Sequence, residues 1–471
     1  MKAPFSDNTE MTRASALRDF IRKRVAAAPR KAETVVVTVA LPGGRPEALV
    51  EALPTEDGFV WNPPEGARFA GAGVAWSIET RGENRIPHLL EESIRLKRSL
   101  HEYAPREGDA PPAALFGGLA FESGHGDEEP WTHFSDGSFV VPRWRYGRRD
   151  GEGWLSLAVH GEEDRARVDD YLEDLPHLLL ALEAPARREE PASVEARIEQ
   201  MDRARWTEMV ESIREGIREE RFSKVVAARR AVADLAADID PILVFHRLER
   251  SYPDCYRFLF RRGGRVFLGA TPERLLWQRG REIATEALAG SIDTAGSEDM
   301  QHLRMIELLE SQKDLGEHEL VVDAIQRKLD SHCPELRVPA RPQVRELRNV
   351  MHLHTPMRGV LARDTHILEL VAALHPTPSV GGVPTADAVR WIVENEPDKR
   401  GWYAGPIGWF DGAGRGDFAV AIRCGVLDGR RAHLYAGAGI VHDSDPDKEY
   451  EETSTKQKPM LRALGIGDCS N

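Results

Sequence analysis

The sequence contains little cysteine and no long hydrophobic run. Its four cysteines, Cys255, Cys333, Cys424 and Cys469, are far apart and form no C-x-x-C pair. This spacing argues against both a disulfide framework and a cysteine-rich zinc site. No apolar stretch reaches the roughly 18 residues that a membrane-spanning helix needs, and the first residues lack the apolar core of a signal peptide. We therefore expect a soluble, cytoplasmic protein.

Positively charged residues are fewer than negatively charged ones. The chain has 63 Lys and Arg residues against 77 Asp and Glu residues, which gives a net charge of −14. This balance argues against nucleic acid or an anionic membrane as a partner. A small anionic substrate is still possible, because it needs only a few local cations. With 471 residues, of which 41% are hydrophobic, the chain can bury a large core as one domain or two.

Strand-like and helix-like segments occur in blocks, which predicts an α+β or layered α/β enzyme without a strict β-α-β repeat. The Ala-, Pro-, Arg- and Glu-rich stretch Leu182–Ala196 predicts a linker or a frayed helix end. It would separate a β-rich N-terminal half, residues 1–196, from a catalytic region, residues 197–466. In that region, His302–Leu329 is predicted as one helix, Ile367–Leu374 as another, and Asp417–Leu427 as one strand.

Carboxylates recur at helical spacing in two segments. Near the C-terminus, a helix would present Glu449, Glu452 and Lys456 on one face, and an earlier helix would do the same with Asp314 and Glu317. Two such helices can hold a hard divalent cation between them, and Mg²⁺ prefers oxygen ligands. The alternative is two solvated charged faces.

A lysine and a glutamate occupy positions suited to acid–base chemistry. Lys224 lies at the start of an apolar strand, where burial would favour the neutral amine that a general base needs. Glu273 follows a Thr-Pro turn at the end of another strand, where an apolar wall could keep it protonated as a general acid. The alternatives are a surface lysine at a strand edge and an ordinary turn carboxylate.

Small residues and one arginine could bind an anion. Gly290 and Ser291 end a strand, and Gly437 ends another, so their backbone and hydroxyl groups could donate to a ligand. Arg423 lies within an apolar strand and needs an anionic partner if it points inward. Tight packing of the glycines and exposure of Arg423 at an edge are the alternatives.

The order and spacing of these motifs resemble the chorismate-utilising enzymes, a family that includes isochorismate, salicylate, anthranilate and aminodeoxychorismate synthases. The similarity is close from residue 222 to residue 456 and looser in the N-terminal half. The segments that carry it are Phe222–Val226, Gly269–Glu273, Glu286–Ser291, Leu309–His318, His352–Thr355, Leu374–Gly382, Gly401–Pro406, Tyr435–Ile440 and Glu449–Thr453.

The resemblance implies a reaction as well as a family. Family members that add ammonia have glutamine where this chain has Lys224, and aminodeoxychorismate enzymes typically have lysine where it has Ala289. Both positions therefore imply water as the nucleophile, and isochorismate synthase is the most similar type. Ser379 resembles the small hydroxyl residue of salicylate synthases, whereas Pro378 and Val380 favour a reaction that stops at isochorismate. Salicylate synthase is the alternative function.

The resemblance also implies a set of site residues. It makes Lys224 the base that activates water and Glu273 the acid that protonates the leaving hydroxyl. Glu317 and Glu452 would be the principal Mg²⁺ ligands, supported by Asp314 and Glu449. The residues that would contact the substrate are Gly290, Ser291, His352, Ser379, Tyr403, Arg423, Gly437 and Lys456.

The implied fold has large antiparallel-rich sheets flanked by helices, as in anthranilate synthase component I. Chorismate is the implied small-molecule partner, and no glutaminase subunit is expected. The product would enter menaquinone, siderophore or salicylate formation. A catalytically inactive binding protein is a third possibility, but it predicts loss of Lys224, Glu273 or the carboxylate pairs, and all are present.

Overall fold

A computed structural model describes residues 7–105, 110–124, 128–185, 194–294, 296–348 and 350–467. None of the helices in these ranges is long and apolar enough to cross a membrane. The middle of the predicted linker lies outside the described residues. The helices are α1 (Asp7–Ala27), α2 (Glu47–Ala52), α3 (Arg85–Ser99), α4 (Gly161–Ala166), α5 (Val168–Leu172), α6 (Leu175–Glu183), α7 (Arg203–Arg218), α8 (Pro241–Ser251), α9 (Glu298–Glu310), α10 (Gln312–Leu329), α11 (Ile367–Leu374), α12 (Thr385–Asn395) and α13 (Pro446–Leu464).

Strands come from both halves of the chain. Those of the N-terminal half are β1 (Thr34–Ala40), β2 (Gly58–Asn62), β3 (Arg68–Thr80), β4 (Leu100–Tyr103), β5 (Ala114–Leu119), β6 (Gly137–Arg149) and β7 (Glu152–His160), and β8 (Ala196–Gln200) follows at the predicted boundary. Those of the C-terminal half are β9 (Lys224–Leu235), β10 (Tyr256–Arg262), β11 (Arg265–Thr271), β12 (Arg274–Arg279), β13 (Glu282–Asp293), β14 (Gln343–Leu347), β15 (Val350–Val360), β16 (Gly382–Val383), β17 (Pro406–Asp411), β18 (Gly416–Val420), β19 (Cys424–Asp428) and β20 (Arg431–Ile440).

The strands pair almost entirely in antiparallel fashion, which confirms the predicted α+β class. One run of pairings is β8-β9-β20-β19-β11-β10-β2-β3-β6. It continues through β5-β17-β18-β12-β13-β15-β14, while β7, β1 and β4 branch from β6. The two halves are joined by the β2–β10 and β5–β17 pairs. The boundary at residue 196 stays a prediction.

The core lies between these sheet layers and the helices. Buried aromatic rings fill one side of it, where Trp402 packs edge-on against Phe134, Phe260 and Phe267. Aliphatic side chains from β1, α6 and α8 dominate the other side. Burial of apolar area on this scale is the main stabilising term of such a fold. It fixes the strand ends and the two helices, α10 and α13, that carry the predicted site residues.

The prediction of one helix over His302–Leu329 is wrong. The helix is interrupted at Ser311, the residue that separates α9 from α10. The Ser311 hydroxyl accepts a hydrogen bond from the Asp314 N–H at 3.2 Å, so Ser311 is the N-cap of α10. Helical hydrophobic spacing continues across the break, which hid it in the sequence.

Arg423 does not lie within a continuous strand, contrary to our prediction for Asp417–Leu427. Strand β18 ends at Val420 and β19 begins at Cys424. Arg423 itself has a φ of 53°, in the left-handed region that residues with a side chain seldom adopt. Its carbonyl accepts a hydrogen bond from the Ala270 N–H at 3.2 Å, which ties this bend to β11.

Candidate active site

The predicted site residues meet at one place, with a single exception. All of them except Tyr403 line a cavity of about 300 Å³. Strands β9, β13, β15 and β20 supply one part of its wall, and α10 and α13 supply another. Their sequence separation is large, so the fold itself assembles the site.

Lys224 is almost completely buried at the start of β9. Its side chain is 1% exposed, and its Nζ lies 2.6 Å from Glu317 Oε1 on α10. Although burial opposes it, the charge and hydrogen bond of Lys224 hold the pKa of Glu317 below its ordinary value. The surface-lysine alternative is therefore wrong, because this amine faces the interior of the cavity.

Glu273 is a buried carboxyl at the end of β11. Its backbone N–H donates to the Thr271 hydroxyl at 3.2 Å, and the Thr377 hydroxyl donates to its Oε1 at 3.4 Å. Burial, and then the negative charge of Glu286, raise the pKa of Glu273 to about 8. A carboxyl in this environment can carry a proton at neutral pH, as a general acid requires.

The four carboxylates of α10 and α13 all reach the cavity, but each has its own partner. Glu317 pairs with Lys224, and Glu452 Oε1 lies 2.6 Å from Lys456 Nζ. Glu449 accepts a hydrogen bond from Ser444 at 2.8 Å, and Asp314 accepts one from Ser311. Among the described residues, no three of these carboxylates bring ligand oxygens within 4.8 Å of one another.

The pKa of Glu449 is raised by its buried position beside a second carboxylate, Glu452. Burial raises its pKa to about 7, and the charge of Glu452 adds to the effect. Two carboxylates in one pocket repel each other, so a cation near them would stabilise both. All four side chains offer oxygen, the donor that Mg²⁺ prefers.

Cationic and neutral donors also line the cavity. Arg423 is 9% exposed, and its Nη2 donates to His352 Nε2 at 3.4 Å, while His352 Nδ1 donates to the Gly290 carbonyl at 3.2 Å. Burial, and then the charge of Arg423, hold the pKa of His352 well below its usual value, so its ring is neutral. Lys456 donates to the Gly437 carbonyl at 2.9 Å.

Tyr403 is not among the side chains that line the cavity. Its ring stacks on Tyr435 with centroids 5.2 Å apart. A Cβ built on Gly437 would come within 3.1 Å of the Tyr403 hydroxyl, so the tyrosine supports the backbone at Gly437. Its predicted contact with substrate stays a prediction.

A second cavity of about 310 Å³ adjoins the first. Both are lined by Ser291, Arg423, Glu452 and Lys456, which form a shared wall. Arg423 therefore faces both cavities, and its guanidinium is the largest cationic group in the wall that they share. The reaction cavity is not an isolated void.

Several residues around the site were missed in the sequence. Thr377 reaches Glu273 from the loop after α11, and it lies within a motif that carries the family resemblance, so that motif was the signal. Glu286 and His354 likewise belong to motifs that carry the resemblance. Arg345 had no signal, because strand β14 was not predicted.

A separate cluster lies where the two halves meet. Glu47, His246 and Glu249 offer ligand atoms within 4.8 Å of one another, but His246 also lies 3.3 Å from Glu51. Hydrogen bonds to Glu249 and Glu51 outweigh burial and raise the pKa of His246 to about 9. An imidazolium between carboxylates explains this cluster as an ion-pair network that joins α2 to α8.

The chain is similar to known proteins over most of its length. The family model described as chorismate binding enzyme matches residues 21–465. The chain is 36% identical over 419 residues to isochorismate synthase MenF of Bacillus subtilis, covering 87% of this chain and 88% of that protein. It is 39% identical over 411 residues to the salicylate biosynthesis isochorismate synthase of Pseudomonas aeruginosa, covering 86% and 84%.

Solved structures show the same fold. The menaquinone-specific isochorismate synthase MenF of Escherichia coli superposes with a TM-score of 0.80 at 24% identity, covering 97% of this chain and all of that one. Anthranilate synthase component I of Streptococcus pneumoniae gives a TM-score of 0.67 at 24% identity, covering 85% and 93%. The fold implied by the motifs is confirmed. With a family match over most of its length, the chain belongs to the chorismate binding enzymes.

Proposed function

We propose that this protein is an isochorismate synthase, which converts chorismate to isochorismate in the presence of Mg²⁺. One observation carries the proposal: a buried amine, Lys224, and a buried carboxyl with a raised pKa, Glu273, line the same cavity. Exchange of a ring hydroxyl needs one group that takes a proton from water and another that gives a proton to the leaving oxygen. The names of the relatives support the same reaction.

In this proposal, Lys224 takes a proton from a water molecule that attacks C2 of the ring. Glu273 gives its proton to the hydroxyl that leaves from C4. Ala289 leaves the cavity wall without a second amine at the position where aminodeoxychorismate enzymes have lysine. Water is therefore the nucleophile, and no glutaminase subunit is required.

The cationic side chains of the cavity, Arg423 and Lys456, would bind the carboxylates of chorismate. Arg423 is buried and bonded to a neutral histidine, so its charge is available to an anionic ligand. The planar guanidinium suits bidentate pairing with a carboxylate. Lys456 and the backbone at Gly290 and Gly437 would contribute further contacts, with Tyr403 behind them.

The donor set on α10 and α13 suits Mg²⁺. Glu317 and Glu452 would hold the ion, with Asp314 and Glu449 supporting them, after exchange of their present lysine and serine partners. The repulsion that raises the pKa of the buried Glu449 supports a cation here. Bound Mg²⁺ would neutralise these carboxylates and orient an anionic substrate.

Ser379 bears on where the reaction stops. Its hydroxyl donates to the Leu288 carbonyl at 3.1 Å. With its proton engaged by the backbone, Ser379 presents no donor to a substrate in this arrangement. This favours isochorismate as the final product over further elimination to salicylate. The same proposal places the enzyme in the cytoplasm, with chorismate as its partner and no need of nucleic acid or membrane.

The proposal is tested by incubating the purified protein with chorismate and Mg²⁺ and separating the products by chromatography. We expect isochorismate to accumulate until it reaches equilibrium with chorismate, and no product in a matched sample with the metal chelated. Salicylate and pyruvate as the main products would support the alternative function. Unchanged chorismate from a folded protein would contradict both.

A further inference from the structure

A buried charge network lies directly behind the general acid. Glu286 on β13 is 8% exposed, and its carboxylate accepts three hydrogen bonds. These come from Arg345 Nη1 at 3.1 Å, from His354 Nε2 at 3.0 Å and from the backbone N–H of Arg274 at 2.8 Å. Although burial opposes ionisation, these partners hold the pKa of Glu286 below its ordinary value, so it is a fixed anion.

Glu286 is linked to Glu273 by a hydrogen bond to the backbone of the next residue in the chain. Arg274, whose N–H binds Glu286, is the residue that follows Glu273. On β13, Glu286 shares a strand face with Leu288, a residue of the cavity wall. Glu286 is therefore near the cavity on two counts, through Leu288 along its own strand and through the backbone beside Glu273.

The charged groups around Glu273 act in opposite directions. Lys224 on β9 and Arg423, between β18 and β19, favour the ionised carboxylate, and so does the hydrogen bond from Thr377 in the loop after α11. Glu286 on β13 favours the protonated form. Its electrostatic effect on Glu273 is larger than that of Lys224 or of Arg423. Without Glu286, two cations would face Glu273 with burial alone opposing them.

We propose that Glu286 is a positioning residue whose fixed negative charge keeps Glu273 in its acid form for proton donation. The inference rests on the proposed function, because it assumes that Glu273 protonates the leaving hydroxyl. Glu286 does not line the reaction cavity, so it acts on the chemistry through Glu273. Arg345 and His354 in turn keep Glu286 ionised.

The test is the pH dependence of kcat/KM, which reports ionisations of the free enzyme. The kcat/KM of the wild type should fall as pH rises through the pKa of Glu273, near pH 8. This fall is the high-pH limb of the pH profile. Glu286→Gln can still accept the Arg274 hydrogen bond but loses the charge. Its high-pH limb should move to lower pH by about one unit, which lowers activity above the limb about tenfold.

Asp417→Asn is the matched control. Asp417 is also a buried carboxylate of this region, but it bonds to the Tyr256 hydroxyl at 3.2 Å and not to the backbone beside Glu273. We expect its high-pH limb to stay with the wild type. Glu286→Asp, which retains the charge, should restore most of the limb. A Glu286→Gln limb that coincides with the wild type would overturn the inference.

Arg345→Gln provides a second test if Glu286→Gln does not fold. Arg345 lies on the edge strand β14 and is 19% exposed, and its loss leaves the charge of Glu286 less neutralised. The high-pH limb should then move upward, opposite to Glu286→Gln. A downward shift or no shift would contradict the role of Glu286. Absence of isochorismate formation by the wild type would instead contradict the proposed function.

Discussion

Lys224 and Glu273 must hold opposite protonation states in one small space. The lysine must be neutral to take a proton, and the carboxyl must be protonated to give one. Burial raises the pKa of Glu273 to about 8 and so favours its protonated form. Lys224 instead forms an ion pair with Glu317, a partner that it would lose when Glu317 binds Mg²⁺.

Arg423→Lys should lower kcat/KM by at least about tenfold, which corresponds to roughly 1.4 kcal/mol. Lysine keeps the charge but loses the planar pair of donors that matches a carboxylate. The hydrogen bond to His352 would also be lost or displaced. Steady-state kinetics with chorismate measure the effect, and a variant with wild-type kinetics would show that Arg423 does not contact the substrate.

Glu317→Gln and Glu452→Gln should each abolish activity while the fold persists. Each removes one of the two charges expected to hold Mg²⁺, and glutamine is a much weaker ligand for that ion. Activity across a Mg²⁺ titration and the melting temperature should be measured together. Glu451→Gln, an exposed neighbour on α13, is the matched control. Retained activity with unchanged Mg²⁺ dependence in either site variant would refute the assignment.

At the residue scale, motifs predicted most of the cavity wall. The residue types with unusual chemistry, such as Lys224 in an apolar strand, were visible in the sequence. Tyr403 does not line the cavity. A motif shows that a residue is near a site but not which surface its side chain reaches. The contacts of Arg345 and His354 with Glu286 were missed because they join strands that are far apart in the sequence.

At the scale of elements, β20 must pass very close to the paired ends of Lys224 and Glu317. Gly439 makes this approach possible, since a Cβ there would lie 2.9 Å from Lys224 Cε and 3.1 Å from Glu317 Oε1. Strand β20 also pairs with β9, which carries Lys224. A glycine at this position is therefore a requirement of the site.

Gly439→Ala should reduce kcat by at least about tenfold, because the added methyl group would push Lys224 and Glu317 from their positions and small displacements of catalytic groups are costly. Gly316→Ala is the matched control: it lies on α10 next to Glu317, and a Cβ there meets nothing within 4 Å. We expect the control to keep its activity and to be slightly more stable. Equal kinetics for the two variants would contradict the close approach at Gly439.

Element boundaries were predicted less well than element types. Helix α11 was predicted correctly at Ile367–Leu374, because its apolar spacing and flanking His-Pro residues agree. The break at Ser311 and the bend at Arg423 were missed, since a capping hydroxyl and a left-handed backbone leave no trace in hydrophobic periodicity. Both breaks occur at the site, where function places demands beyond local propensity.

At the scale of the whole molecule, His246 connects the two halves of the chain. It lies on α8 and pairs with Glu51 on α2, whose pKa it lowers to about 2. The pKa of His246 is about 9 in the folded protein, against an ordinary value of 6.5. Its contribution to stability is therefore complete below about pH 6.5 and is lost as pH rises through about 9.

His246→Gln should remove this pH dependence. The melting temperature of the wild type should fall more steeply between pH 7 and pH 9 than that of the variant, because the wild type alone loses an imidazolium. His177→Gln, at an exposed position on α6, is the matched control and should follow the wild type. Parallel curves for the wild type and His246→Gln would contradict the charged state of His246.

The most direct measurement of the proposed reaction is oxygen incorporation from ¹⁸O-labelled water. Purified wild type, Lys224→Ala and Glu273→Gln would each be incubated with chorismate and Mg²⁺, and the products analysed by mass spectrometry. Isochorismate from the wild type should carry one labelled oxygen at C2, while both variants should bind chorismate and form no labelled product. Unlabelled isochorismate from the wild type, or labelling at the normal rate by Lys224→Ala, would contradict water addition by this pair.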